Sequence, residues 1–143
     1  MQTKQDSQKD KHPANTIITV STPKEVLSKQ NLPYFIGISD QTAGAKQISM
    51  NMVVIPPGAT AEPHYHADFE SGIYLIKGRV KTLYGNDLQY SVINEAGDFI
   101  FIPPDLWHQP INLSDTEEAR AIIVRNDPGE REAIIHSKPK INA

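Results

Sequence analysis

The sequence predicts an all-β domain, and three observations carry that prediction. Short runs rich in β-branched and aromatic residues recur at intervals of about 8–12 residues, the spacing of a sandwich or barrel. Glycine, proline and asparagine punctuate them, and no long helix-forming stretch separates them. With 143 residues, 38% of them hydrophobic, the chain can bury one substantial core.

The elements follow in order. Met1 to Asn15 is polar, carries both signs of charge and has almost nothing to bury, so a disordered tail is expected, or else an arm ordered against a partner subunit. Thr16–Val20 (TIITV) reads as a first strand. At Ser21-Thr22-Pro23-Lys24-Glu25-Val26 a helix start is expected, with Thr22 as N-cap and Pro23 at the first helical position. That short N-terminal helical turn must end before Asn31-Leu32-Pro33. Gln47–Ile55 is a strand that stops at Pro56-Pro57-Gly58. GIYLIKG, RVKTLY, QYSVI, DFIFI, ARAIIVR and EAIIH follow, separated by Gly85-Asn86, Gly97, Pro103-Pro104 and Asp127-Pro128-Gly129. One domain over residues 16–137 is expected, flanked by tails at 1–15 and 138–143.

Several function classes are disfavoured at once. A net charge of −3 leaves no basic footprint for nucleic acid. With no cysteine there can be no disulfide, thiolate metal site or cysteine nucleophile, so any metal needs nitrogen and oxygen ligands. No apolar run approaches the roughly 20 residues that cross a bilayer, and the N-terminus lacks the apolar core of a secretory signal. A cytoplasmic location without membrane partners is therefore the expectation. Neither GxxxxGK[ST] nor GxGxxG occurs, and neither Ser71 nor Ser114 has a nearby His–Asp arrangement.

The chemistry concentrates in three of the five histidines; His12 and His136 fall in or near the tails. His64 and His66 stand two apart in PHYHADFE, so on extended backbone their imidazoles point to the same side. Glu70 follows across a turn as a hard oxygen ligand. His108 comes after Pro103-Pro104 and reaches the others only if the sheet closes on itself. Taken alone, a histidine in a strand is more often structural than a ligand. Together, three neutral imidazoles and a carboxylate suit one divalent transition metal, with Zn, Fe, Ni, Mn and Cu all admissible.

The surroundings of these residues resemble the cupin family. Its first motif, G-x5-H-x-H-x(3,4)-E-x6-G, is met by Gly58, His64, His66, Glu70 and Gly78. Its second, G-x5-P-x-G-x2-H-x3-N, is met by Gly97, Pro103, His108 and Asn112. LPYFIGISDQTAGA, ESGIYLIKG and LSDTEEARAIIVRNDP also look like small single-domain bacterial cupins. The resemblance implies a double-stranded β-helix (a jelly-roll or cupin barrel) and a metal held by His64, His66, Glu70 and His108. Two departures bear on this. Seven residues rather than six separate Glu70 from Gly78, which either requires a bulge that re-aims Glu70 inward or puts Ser71 in its place and leaves three histidines plus water or substrate. The bulge is the expected solution, because Ser71-Gly72 is permissive for one. Asp105 replaces the glycine of the second motif, in a turn where aspartate is tolerated.

Tyr74, Phe101, Trp107 and Gln109 are the candidate substrate-binding residues, with Phe99 and Asn112 also near the motifs. Core filling or subunit contact competes with that role for each aromatic. Arg79, Lys81 and Arg125 are candidates for reaching an anionic substrate, although such residues on strands usually face solvent. Met50, Met52 and Val54 share one face of their strand, and Asn51, Val53 and Ile55 the other. The second set is too apolar for a wet surface, so burial on both sides and a homodimer are expected. By fold-level analogy the function expected first is a small-molecule metalloenzyme, of dioxygenase or of isomerase or lyase type. The alternatives are a non-catalytic binding or sensing module with a metal-anchored pocket, and a storage barrel with a vestigial site.

Overall fold

The computed structural model describes residues 16–28 and 31–129, and the expected tails and the EAIIH strand lie outside them. Nine strands are formed there: β1 (Lys24–Leu27), β2 (Pro33–Ile38), β3 (Ser49–Ile55), β4 (Ser71–Lys77), β5 (Arg79–Tyr84), β6 (Tyr90–Glu95), β7 (Phe99–Ile102), β8 (His108–Asn112) and β9 (Ala119–Arg125). A single short helix, α1 (Asp40–Ala43), joins β2 to β3. The strands make two antiparallel sheets, one ordered β1-β2-β3-β9-β4-β7 and the other β6-β5-β8. Their inner faces meet across one cavity, giving the double-stranded β-helix that the motifs imply. No helix among the described residues is long and apolar enough to cross a membrane.

The short helix is present, but not where Thr22 and Pro23 point. Lys24–Leu27 is instead extended and pairs antiparallel with β2, Val26 facing Tyr34. One helical turn leaves most of its backbone groups unpaired, whereas a partner strand satisfies them. The helix forms after Ser39, whose side chain accepts from the Thr42 amide while Thr42 Oγ1 accepts from the Ser39 amide, a complete capping box. Thr16–Val20 carries no strand.

The core cluster draws on both sheets, with Tyr34, Val53, Leu75, Ala121 and Ile123 from the first and Val80 from the second. Truncating a buried leucine such as Leu75 to alanine costs roughly 2–5 kcal/mol in cores of this kind. On β3 the inward set is Ser49, Asn51, Val53 and Ile55, all buried. The set with Asn51 is therefore the inside, and Met50, Met52 and Val54 form the outer face. Asn51 is accommodated inside because its Oδ1 accepts from the Gly37 amide and its Nδ2 donates to Tyr34 Oη.

Gly78 turns the chain from one sheet to the other, between β4 and β5. Its φ is 99°, and a Cβ there would lie 2.7 Å from Ala119 Cβ. Only glycine fits that corner.

Candidate metal centre

His64 and His66 stand in the segment between β3 and β4, His108 opens β8, and the backbone locks the two together. The His64 amide donates to the His108 carbonyl (3.0 Å), and the His108 amide returns to the His64 carbonyl (2.9 Å). A second clasp comes from Asp105, at the position where the motif has glycine. Asp105 adopts φ 64°, its amide donates to the His66 carbonyl, and its Oδ1 accepts from the Asp68 amide. Residues far apart in sequence are thereby fixed side by side.

Extended backbone from His64 to His66 sends both imidazoles inward, while Tyr65 between them packs on Trp107 with ring centroids 4.8 Å apart. His64, His66 and His108 are all buried, and one ring nitrogen of each lies within 4.8 Å of those of the others. His64 Nδ1 sits 2.6 Å from the Glu62 carbonyl, and His108 Nδ1 sits 2.8 Å from that of Leu106. A carbonyl only accepts, so each Nδ1 carries the proton and each Nε2 keeps its lone pair. This is the backbone support that orients histidine ligands in metal sites.

His66 is held differently. Its Nε2 lies 3.2 Å from Arg125 Nη2, and since guanidinium only donates, Nε2 accepts and Nδ1 bears the proton. That buried Nδ1 has no hydrogen-bond partner. Burial holds His66 well below the ordinary imidazole range, and Arg125, His64 and His108 add to the effect. Burial likewise pushes His108 down to about 4, against the Leu106 hydrogen bond that favours its charged form. Both rings are neutral at neutral pH, the state that ligates a metal. Three neutral imidazoles without thiolate suit a divalent transition ion.

Glu70 does not join this cluster. It is exposed, and its amide donates to Asn126 Oδ1. The strand begins at Ser71 without an inward bulge at Glu70. Ser71, 2% exposed, takes the inward column, with Ile73 and Leu75 on the same side. Among the described residues no carboxylate accompanies the three histidines.

A cavity of about 420 Å³ adjoins the centre, within the usual range for small-molecule pockets. His64, His108 and Arg125 line it, and its walls are mainly apolar, including Val53, Leu75, Val80, Ile100 and Ile123. Of the aromatic and amide candidates for substrate contact, Phe101 is among the residues lining the cavity, and Tyr74, Trp107 and Gln109 are not. Tyr74 pairs with Phe99 across β4 and β7, their rings 4.7 Å apart on the outer face, while Phe101, beside Gly72, borders the cavity and is 62% exposed. Trp107 packs on Tyr65, and Gln109 Nε2 donates to the Ala61 carbonyl. Alternation explains these placements: His108 points in, so its neighbours Trp107 and Gln109 point out. Asn112 orders its turn by donating to the Ile55, Pro56 and Glu117 carbonyls.

Arg125 is the site residue that a general rule about strand arginines passes over. The period of two along ARAIIVR puts it on the side of Ala119, Ala121 and Ile123, and the structure buries all four. That alternation is legible in the sequence.

Comparison with known proteins agrees with this architecture. Residues 51–125 match the cupin domain family. Germin-like protein 3-5 of Oryza sativa subsp. japonica is 35% identical over 80 residues, covering 52% of this chain and 35% of that protein. Oxalate decarboxylase OxdC of Bacillus subtilis is 27% identical over 94 residues, covering 64% of this chain and 24% of that one. The chain thus spans between a quarter and about a third of these relatives' length. Among solved structures, the polyketide cyclase RemF from Streptomyces resistomycificus superposes with a TM-score of 0.64 at 21% identity, covering 90% of this chain and 84% of that one, a likeness of fold. The matched residues run from β3 to the end of β9 and take in all three histidines and both turns that hold them, and on that ground the chain belongs to the cupin family.

Proposed function

We propose that this chain is a small-molecule metalloenzyme in which His64, His66 and His108 hold one divalent transition metal at the wall of an apolar cavity. The observation that carries this reading is the convergence of three buried imidazoles, two with their Nδ1 protons engaged by backbone carbonyls. A bound redox-active ion would supply electron transfer for a dioxygenase, and Zn or another Lewis acid would supply polarisation for an isomerase or lyase. The protein's part is to keep the imidazoles neutral, fix their lone pairs and exclude water with aliphatic walls. A decarboxylase and a polyketide cyclase among the similar proteins support the lyase or isomerase branch.

The decisive measurement is elemental analysis of the full chain purified without a histidine tag, together with O2 uptake. About one equivalent of metal, lost in His64→Ala and His108→Ala, is expected. Unchanged metal content in both variants would overturn the site. One observation favours a second reading, a binding module without turnover: no carboxylate among the described residues accompanies the histidines as a general base.

The outer face of the six-stranded sheet supports the homodimer as a companion proposal. Met50, Val124, Tyr74, Phe99 and Phe101 are neighbours across β3, β9, β4 and β7, and Phe99 is 85% exposed. A patch of this character is the kind that partners cover. A light-scattering mass of two chains supports it, and a mass of one chain at micromolar concentration removes it.

A further inference from the structure

Arg125 ends β9 on its inner face and lines the cavity with His64 and His108, yet it is only 5% exposed. Its Nε donates to Ser71 Oγ (3.1 Å), its Nη1 to Tyr34 Oη (3.3 Å) and its Nη2 to His66 Nε2 (3.2 Å). All three acceptors are neutral groups. The ion pairs of the described residues are Lys77–Glu117, Arg79–Glu95 and Arg120–Glu118, so none includes Arg125. Asp127, buried two residues further on, accepts the Gly129 amide through Oδ1.

This arrangement is incomplete in charge. A guanidinium carries a permanent positive charge. Buried charges are normally paired. It has five N–H donors, and the three bonds above leave one on each terminal nitrogen, the fork that recognises a carboxylate or equivalent oxyanion in two-point fashion. Adding a divalent ion beside it would put two cationic centres in one apolar pocket.

We infer that Arg125 is the anion-recognition residue of the cavity, and that the occupant is a small organic carboxylate. Its charged end lies between the guanidinium and the pair His64 and His108, and its apolar body lies against Leu75, Val80, Ile100 and Ile123. This deepens the metal-centre reading and rests on it for the second positive centre. Ser71 and Tyr34 act as positioning residues, holding the guanidinium plane through Nε and Nη1.

The test uses calorimetry on the full chain with phenylacetate and phenylacetamide, which match in shape and differ in charge. Each is titrated into chelator-treated protein and into protein loaded with Co2+. In both forms phenylacetate is expected to bind at least about tenfold more tightly than the amide, with the larger ratio when Co2+ is present. Arg125→Met should abolish the ratio in the metal-free form while Co2+ still binds. Arg125→Lys keeps the charge without the fork and should retain a reduced preference. Equal binding of the two probes to metal-free wild type, binding of neither, or a preference that survives Arg125→Met would overturn the inference. The wild-type comparison decides the matter even if a variant fails to fold. An Arg125-dependent preference in protein that takes up no Co2+ supports the carboxylate site and removes the metal centre. Co2+ binding without preference keeps the metal centre and removes the carboxylate site.

Discussion

The two sides of the histidine cluster are built on opposite plans. On one side His64 and His108 are bridged through their own backbones, and their Nδ1 protons are taken by carbonyls of the same loops. On the other, His66 has its Nε2 lone pair engaged by a buried cation and its Nδ1 left without a partner. The first pair is preorganised for a metal and loses nothing when one binds. His66 must give up its bond to Arg125, or share it, before Nε2 can ligate. Backbone pairing thus fixes two of the imidazoles, and the third is held by the guanidinium of Arg125.

The largest effects should separate these sides by sign. Replacing His64 or His108 with alanine is expected to weaken divalent-metal affinity on the order of a thousandfold, since loss of groups that merely orient ligands already costs about 10–100-fold. Arg125→Met should act in the other direction and tighten metal binding by about tenfold, because it frees the His66 lone pair and removes a neighbouring positive charge. Competition against a chromophoric chelator measures both. Weakening in Arg125→Met would mean that the guanidinium supports the metal rather than contending with it.

Next comes pH, read on the chelator-treated protein. His66 and His108 are both depressed in the folded state, below the unfolded value of 6.5. Above pH 6.5 both states are neutral and these rings contribute nothing. Below it the unfolded chain gains protons that the folded chain refuses, so stability falls as pH drops from 6.5 towards about 4, where His108 itself charges. For His108 alone that window corresponds to about 3 kcal/mol. Urea midpoints between pH 7 and 4 should show the loss, with a shallower slope in His108→Asn. An unchanged slope in that variant would place the titrating groups elsewhere.

A smaller effect is expected at Ser71, which accepts from Arg125 Nε in a buried setting. Ser71→Ala leaves a charged donor unsatisfied, at a cost of about 1–3 kcal/mol. Urea unfolding should show that loss while metal stoichiometry stays at one. A neutral substitution would mean that the other contacts of Arg125 hold the guanidinium without Ser71.

What was legible in the sequence follows the range over which each residue's position is decided. His64 and His66 are set by local extended backbone, and His108 by a turn whose Pro103 and Asp105 are visible as letters. β4, β5, β7 and β9 announce themselves through β-branched runs. β2 and β8 do not, because PYFIGI and HQPIN owe their extension to partners: β2 pairs with β1 and β3, and β8 with β5. The same tertiary pairing turned Lys24–Leu27 from an expected helical turn into a strand. Tyr74, Trp107 and Gln109 attract attention as residue types just as Phe101 does, yet of the four only Phe101 borders the cavity, because one step of register moves a side chain from the cavity to the outer face. Counting inward from His108 and Ala121 would have excluded Trp107 and Gln109 and admitted Arg125.

Glu70 is the sharpest case of that register logic and carries the smallest expected effect. A carboxylate four residues after His66 satisfies the family spacing, but the extra residue before Gly78 puts Ser71 in the inward column. Glu70 touches the fold through its amide, which Glu70→Gln retains. That substitution is therefore expected to leave metal affinity within a factor of two and urea stability within about 0.5 kcal/mol, as for surface changes in general. A tenfold loss of metal affinity in Glu70→Gln would show that the strand slips by one residue when metal binds. The asymmetry between the two sides of the cluster would then belong to the metal-free protein alone.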